Sequence, residues 1–347
     1  MNNPFSLSRN GRLRFSNGFT LVELMVAMLL GLIVIAGVTS VFLAGQRTYR
    51  TNDALGDVQD SSRIAFEMLA RDIRDAGLTG CDTSSGRVSN VLNPSTNDWW
   101  ADWPNALHGY DDATTDPALS GLKGDGAPVK GTSSVHVLST GGMGLSVSQT
   151  PSSNSANFKI NESTNDLQTG DVIMVCDFDH AAILQITNIN SNNVTVVHNA
   201  NSSGTKPFPG NCSKGLGYPT DCSSQNGNTY TFPPNSRVAK LTGVDWYIGT
   251  NPAGGQSLYR LALVTSGGSA STTTQEMVRN VTGMTISYLQ PSSSAYQTAT
   301  DIGTGWATVD AAKIILTVES TYQRAGTDAK PLVRSFTSTT TVRNRVH

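Results

Sequence analysis

Glu23 is the only charged residue in a long apolar segment near the N-terminus, and its carboxylate could take part in ion pairing there. The segment runs from Phe19 to Gly45 and contains 27 residues. A segment of this length can cross a lipid bilayer, which requires about 20 residues. A carboxylate buried in lipid without a partner costs roughly 2.5–3.5 kcal/mol. We therefore expect a cationic group, such as an α-amine, to pair with Glu23.

Two acidic stretches contain residue types that bind cations. Asp177–His180 offers two carboxylates and an imidazole, but it lies between two predicted strands, so a polar hairpin turn is the favoured interpretation. Asp98–Asp116 could bind calcium through oxygen atoms, although it lacks the spacing of an EF-hand. Its tryptophans, Trp99, Trp100 and Trp103, either cover a small core or form a binding face for a sugar or a protein. We predict no metal ion and no cofactor.

The motifs of common enzyme classes are missing from the sequence. None of the five histidines belongs to an HExxH motif, and no GxSxG, Walker A or GxGxxG sequence occurs. The histidines are His108, His136, His180, His198 and His347. We therefore predict no catalytic residues and no enzymatic activity.

A short basic leader precedes the apolar segment. Residues 1–17 carry Arg9, Arg12 and Arg14 and no acidic residue. By the positive-inside rule the leader stays in the cytoplasm while the bulk of the chain crosses the membrane. Charged residues make up only 14% of the chain, and its net charge is −2. These values argue against a general nucleic-acid-binding surface, because such surfaces are basic.

The apolar segment continues into an amphipathic one without an interrupting proline. From Arg47 to Ala76 apolar residues recur at helical spacing, and charged residues occupy the other face. The apolar positions are Leu55, Val58, Ala65, Met68, Leu69, Ile73 and Ala76. Gly77 supplies a C-cap. One helix is therefore predicted from about Phe19 to Ala76, with a lipid-compatible first half and a second half that packs on a sheet.

The rest of the chain has the pattern of strands and polar loops. Residues 82–130 and 200–228 show no period, and 275–280 could be a short helix or a strand. Strands are predicted at 134–139, 171–176, 181–189, 193–199, 237–249, 257–265, 283–289, 311–320 and 332–344. The fold class is α+β: a long N-terminal helix packed on an antiparallel β domain with long loops.

Four cysteines allow three disulfide pairings. We favour Cys81–Cys176, which would tie the helix end to the sheet, and Cys212–Cys222, which would close a short polar loop. The other pairings stay open. Disulfides fit an oxidising compartment on the far side of the membrane.

The N-terminal segment resembles the class III signal of type IV prepilins and pseudopilins. Gly18 followed by Phe-Thr-Leu-Val-Glu and the apolar run carries the resemblance. It implies that a prepilin peptidase cuts between Gly18 and Phe19, that Phe19 is then methylated, and that Glu23 acts in assembly. A plain signal anchor and a cleaved secretory signal are the alternatives. The implied organisation is a leader at 1–18, an assembly helix at 19–45, an amphipathic helix at 46–77 and a periplasmic or extracellular β domain at 78–347.

Further stretches are similar to the PilW-type minor pilins, at 63–81, 170–187 and 311–346. The first and last are also shared with large pseudopilins of the GspJ kind. The resemblance implies a minor pilin that starts at the inner membrane, primes type IV pilus assembly and sits at the pilus tip. Such pili serve twitching motility, adhesion and DNA uptake. Implied partners are other minor pilins, the major pilin, the prepilin peptidase and a large tip adhesin, with no specific nucleic acid. Alternatives are a type II secretion pseudopilin, a membrane-anchored binding module and an anchored hydrolase.

Overall fold

The structure is a computed structural model in which a long helix precedes a β domain. It describes residues 18–81, 86–93, 98–150, 152, 155–190, 194–201, 206–322 and 330–343. The predicted leader at 1–17 and His347 lie outside these residues. Contacts divide the chain into two compact units, Met1–Asp53 and Ala54–His347.

Helix α1 spans Leu21–Arg74 and is 54 residues long, which confirms the predicted long helix. Leucine, methionine and alanine, all good helix formers, are frequent in its first part. In its second part the buried residues recur at steps of three or four, which places them on one stripe. They are Ala54, Val58, Ser62, Ala65, Leu69 and Ile73. Leu55 and Met68, which we predicted in the stripe, lie at its margins and are half-buried.

The end of α1 is bonded to the β domain. Gly77 has a φ of 72°, as expected of a C-cap glycine, and its N–H donates to the carbonyl of Leu138 at 2.8 Å. The N–H of Arg343 donates to the carbonyl of Arg74 at 3.0 Å. One of the carbonyls that a helix end leaves free is thus satisfied by the C-terminal part of the chain.

Fourteen strands in two sheets follow within the described ranges. The strands are β1 (Val88–Asn90), β2 (Leu107–Tyr110), β3 (Ser134–Gln149), β4 (Asn157–Ile160), β5 (Val172–Cys176), β6 (Ala181–Gln185), β7 (Asn188–Asn190), β8 (Thr195–Val197), β9 (Arg237–Thr250), β10 (Gln256–Ser266), β11 (Ser269–Arg279), β12 (Val281–Leu289), β13 (Ala311–Glu319) and β14 (Val333–Thr341). The larger sheet has the order β1-β6-β5-β9-β3-β4-β8-β7, with β2 paired to β3, β10 to β9 and β11 to β10. The smaller sheet has the order β12-β13-β14. A short helix, α2 (Ala299–Ile302), precedes β13.

The main core contains the second part of α1, the smaller sheet and one face of β3 and β9. Leu69 and Ile73 of α1 belong to one buried cluster with Val135 of β3, Trp246 of β9 and Ile314 of β13. Alternate residues of a strand point to opposite faces, so the residues between these positions lie on the other face of the larger sheet. Short 3₁₀ turns at Trp99–Ala101, Trp103–Asn105, Ala113–Thr115 and Pro117–Leu119 cover that face.

Several details differ from the sequence-based expectation. Strand β1 pairs with β6 in parallel, so the larger sheet is mixed rather than wholly antiparallel. Strands β1 and β2 lie in the stretch 82–130, where we predicted no regular structure, and they have only 3 and 4 residues. Strands this short are too brief to display a period. Residues 275–279, predicted as helix or strand, belong to β11.

Both favoured disulfides are present. Cys81, after α1, is bonded to Cys176 at the end of β5, with Cα atoms 6.0 Å apart. Cys212 is bonded to Cys222 in the loop between β8 and β9, with Cα atoms 5.3 Å apart. The first bond links the chain that follows the helix to the centre of the larger sheet.

Candidate functional site

The start of α1 is a capping box formed by Thr20 and Glu23. The N–H and the hydroxyl of Thr20 each donate to Oε2 of Glu23 at 3.2 Å, and the N–H of Glu23 donates to Oγ1 of Thr20 at 3.2 Å. The pattern Thr-x-x-Glu was the available sequence signal, and our sequence analysis did not use it. The bonds hold the Glu23 carboxylate at the helix N-terminus, where the helix dipole also favours a negative charge.

The apolar side chains of the first part of α1 are exposed. Among the described residues, α1 is the one helix long and apolar enough to cross a membrane by length and composition. A Cβ added at Gly31 or Gly37 would meet no atom within 4 Å. Small residues of this kind allow close helix approach in apolar surroundings. An apolar surface of this size needs lipid or other helices to cover it.

Gly18 and Phe19 lie just before Thr20, the N-cap residue of α1. Both are exposed, and Phe19 is 87% accessible. The structure thus brings the three predicted residues, Gly18, Phe19 and Glu23, to one end of the apolar helix. Cleavage after Gly18, methylation of Phe19 and an assembly role for Glu23 stay predictions.

The tryptophan-rich stretch is part of the core. Trp100 and Trp103 are buried against Leu138 of β3 and Met174 of β5. Trp99 is half-buried. Of the two interpretations of this stretch, the one in which the tryptophans cover a core is therefore correct. The buried rings do not supply the exposed aromatic face that a sugar-binding module would need.

The acidic tetrapeptide Asp177–His180 is a polar turn between β5 and β6. Oδ1 of Asp177 accepts from the N–H of Asp179 at 2.9 Å and from that of His180 at 2.8 Å. Asp179 forms an ion pair of 2.9 Å with Arg87. Both carboxylates therefore have partners within the protein, which agrees with the favoured interpretation of this segment as a hairpin turn.

Two acidic residues of the stretch 98–116, for which calcium binding was considered and not predicted, cap backbone N–H groups. Asp111 accepts from the N–H groups of Ala299 and Thr300, each at 2.9 Å, and therefore caps α2. Asp112 accepts from the N–H of Thr114 at 3.0 Å. These hydrogen bonds account for the positions of the Asp111 and Asp112 carboxylates without a bound cation.

Asp116, His136 and Asp245 form a buried polar cluster, which we call the Asp–His–Asp cluster. One nitrogen or carboxylate oxygen from each residue lies within 4.8 Å of those of the other two. All three residues are buried, and Asp245 is completely inaccessible. Among the described residues, the Nδ1 atom of His136 has no hydrogen-bond partner, and the Asp245 carboxyl has none besides the Asp116 carboxyl, with which it can share a proton.

Burial controls the protonation of the Asp–His–Asp cluster. It raises the pKa of Asp245 well above the ordinary value, and the nearby charge of Asp116 raises it further. It also raises the pKa of Asp116, against the opposing effect of hydrogen bonds with Ser134, Asp245 and Ala118. Burial lowers the pKa of His136 to about 3, and the neighbouring His108 contributes a smaller decrease. His136 is therefore neutral at pH 7.

Sequence reasoning missed this cluster. The available signal was a polar residue within an apolar strand, His136 in SVHVLS and Asp245 in GVDWYIG. Along their strands, His136 and Asp245 alternate with residues that face α1. Both therefore lie on the opposite face of the larger sheet, which the 3₁₀ turns cover. Asp116 comes from the stretch for which no regular structure was predicted.

Comparison with known proteins identifies one motif. A family model described as the prokaryotic N-terminal methylation motif matches residues 13–39. The comparisons with curated proteins and with solved structures gave no match. The matched residues contain Gly18, Phe19 and Glu23 and extend well into α1. The chain thus carries the class III signal motif of type IV pilins, which implies processing by a prepilin peptidase and fits anchoring in a membrane before assembly.

Proposed function

We propose that this chain is a minor pilin of the PilW type, a structural subunit that primes assembly of a type IV pilus and joins the complex at its tip. The methylation motif at residues 13–39, which runs without a break into α1, carries the proposal. The apolar core of a secretory signal is removed on cleavage. Cleavage after Gly18 would instead leave the whole apolar part of α1 on the mature chain. Such a chain is anchored in the inner membrane first and enters a filament later.

Glu23 and the new α-amine of Phe19 supply the pairing that assembly needs. Each is costly in apolar surroundings without a partner. When apolar helices pack together, Glu23 of one subunit can accept from the amine of its neighbour, which offsets both costs and sets the axial register. The capping box with Thr20 supports this role, because it keeps the carboxylate at the start of the helix.

The size of the β domain supports a position at the tip. A subunit repeated along the shaft must leave room for neighbours at close axial spacing, and a domain with fourteen strands in its described part is bulky for that role. At the tip, its partners are other minor pilins and the major pilin on one side and a large adhesin on the other. Twitching motility, adhesion and DNA uptake are the activities that such a pilus serves.

Mass spectrometry of the mature N-terminus in sheared filaments and in membranes tests the proposal. We expect a chain that begins at methylated Phe19 in both fractions and that is scarce relative to the major pilin. Gly18→Leu should block cleavage, because only a small residue fits before the cut bond. Gly45→Leu is the matched control and should be processed normally. A secreted chain that begins after Gly45 would contradict the proposal.

A large pseudopilin of a type II secretion system is the second candidate. The same methylation motif and apolar helix serve both assemblies, and the two similar stretches at 63–81 and 311–346 are shared with that group. Deletion of the gene separates the candidates. Loss of surface pili with normal protein secretion supports the minor pilin, whereas loss of secretion with intact pili supports the pseudopilin.

A further inference from the structure

Three neighbouring strands present a row of polar side chains on the covered face of the larger sheet. His136 of β3 is the direct cross-strand partner of His108 on β2 and of Asp245 on β9. Direct partners on neighbouring strands project from the same face, with Cβ atoms about 4.5–5.5 Å apart. Strand pairing itself therefore places an imidazole next to the Asp245 carboxylate.

The third member of the Asp–His–Asp cluster comes from the covering turns. Asp116 lies between the turns Ala113–Thr115 and Pro117–Leu119. Its Oδ2 accepts from the Ser134 hydroxyl at 2.6 Å, and its Oδ1 accepts from the N–H of Ala118 at 2.9 Å. These bonds orient the carboxylate, and each oxygen keeps a lone pair for a further contact. Such bonds resemble the outer-shell support of metal ligands.

The described residues supply no cationic side chain to the Asp–His–Asp cluster. No ion pair involves Asp116 or Asp245 within those residues. Two neighbouring buried carboxylates are costly unless a positive charge or a shared proton lies between them. By contrast, the buried Asp171 has an ion pair of 2.7 Å with Lys240. The domain therefore satisfies one buried carboxylate and leaves the Asp116–Asp245 pair without a counter-charge.

We propose that Asp116, His136 and Asp245 bind one divalent cation of the zinc or manganese class, which attaches the covering turns to the larger sheet. The charge of such an ion balances two carboxylates and a neutral imidazole. Nitrogen and carboxylate ligands together suit zinc and manganese. In tetrahedral geometry, ligand bonds of about 2.0–2.2 Å place the ligand atoms about 3.3–3.6 Å apart. The present separations are all within 4.8 Å, so the side chains must approach one another by up to about 1.5 Å to bind the ion.

Metal content of the purified full chain tests this site. The chain is expressed without a polyhistidine tag in medium supplemented with zinc or with manganese, purified in detergent and analysed for metal. We expect about one ion per chain in the wild type from one of the two media. Asp245→Asn should reduce the metal content at least about tenfold. Loss of an outer-shell hydrogen bond already lowers metal affinity by at least about tenfold, and loss of a ligand should lower it no less.

Two features of the design separate metal binding from folding. The amide introduced by Asp245→Asn can donate an N–H to Asp116, so we expect this variant to fold without the metal, with an unchanged circular dichroism spectrum. Asp171→Asn, which removes a buried carboxylate that already has Lys240 as its partner, is the matched control and should retain the metal. A wild type free of metal from both media would overturn the proposal and favour a shared proton. Equal metal loss in Asp171→Asn, or none in Asp245→Asn, would also overturn it.

Discussion

The indole N–H of Trp246 donates a hydrogen bond of 2.9 Å to Oδ2 of Asp72. Trp246 lies in β9 and is almost completely buried, while Asp72 lies in the last turn of α1. Arg260 of β10 contacts both residues. Its Nε is 3.5 Å from Oδ2 of Asp72, and its guanidinium carbon is 5.9 Å from the indole centroid. The Asp72 carboxylate of α1 therefore accepts a hydrogen bond from β9 and forms an ion pair with β10.

Replacing Asp72 with alanine should destabilise the β domain. The change leaves the buried Trp246 N–H without its acceptor and removes the ion pair with Arg260. A hydrogen bond to a charged group contributes about 1.5–3 kcal/mol, and we expect the free energy of unfolding to fall by that amount. Chemical denaturation of the full chain in detergent, followed by tryptophan fluorescence, measures the change.

Asp75→Ala is the control for this variant. Asp75 lies just beyond α1, and none of the side-chain hydrogen bonds or ion pairs found in the described part of the chain involves it. Its replacement should change the stability by no more than about 0.5 kcal/mol. Equal losses in the two variants would show that the Trp246–Asp72 bond contributes nothing.

Removal of Cys81–Cys176 should cost more stability than removal of Cys212–Cys222. The two bonds have sequence separations of 95 and 10 residues. The chain-entropy relation gives about 4.7 kcal/mol for the longer loop and about 2.7 kcal/mol for the shorter one. Denaturation of the two double-alanine variants should therefore show a difference of about 2 kcal/mol. The reverse order would mean that loop entropy does not determine the contribution of these bonds.

His198 should make the β domain less stable in acid. Burial lowers its pKa from 6.5 to about 4, so the folded state binds fewer protons than the unfolded state between these values. The contribution to stability is complete above pH 6.5 and is lost as the pH falls towards 4. At pH 5 the loss amounts to about 2 kcal/mol. His198→Phe should reduce the decrease in melting temperature between pH 7 and pH 5 by the corresponding amount.

The control for His198 is an uncharged substitution on the preceding strand. Val196→Ala in β8 removes buried apolar volume and no ionisable group, so it should lower the melting temperature at both pH values and retain the wild-type difference. If His198→Phe also retains that difference, His198 does not contribute to the acid sensitivity.

Glu23→Ala should reduce incorporation into filaments without preventing cleavage after Gly18. The variant removes the partner of the Phe19 amine, which then enters the helix bundle unpaired. The ratio of mature to precursor chain in membranes measures cleavage, and the amount in the sheared fraction measures incorporation. Thr20→Ala removes a cap of about 1 kcal/mol but keeps the carboxylate. If Thr20→Ala reduces incorporation as strongly as Glu23→Ala, capping rather than pairing explains the defect.

Local periodicity was sufficient to predict the helix and the strands whose apolar pattern extends over many residues. The stripe of α1 and the strands predicted at 237–249 and 311–320 agree with the structure to within two residues. The pairing of β3 with β9 was not predictable, because residues 150–236 separate the two strands and the choice of partner depends on packing of the whole domain. The edge strand β1 was missed because its 3 residues are too few to show a period, and its parallel pairing with β6 depends on the same long-range packing.

The Asp–His–Asp cluster depends on this long-range pairing. His136 and Asp245 are polar residues in apolar strands, and each alone suggests only a buried polar group that needs a partner. Their proximity follows from the register between β3 and β9. The position of Asp116 follows from the packing of Leu119 and Ala113 onto the same face. Residues that are separated in sequence in this way carry no common spacing that a motif search could detect.

Each of the two disulfides joins a pair of cysteines that are consecutive in the sequence. A polypeptide exported from its N-terminus exposes its thiols to the oxidising compartment one after another. Cys81 meets Cys176 before any other thiol has emerged, and Cys212 then meets Cys222. On the proposed export of the β domain, order of emergence alone favours the native pairs, and we expect an oxidase without a disulfide isomerase to suffice for maturation.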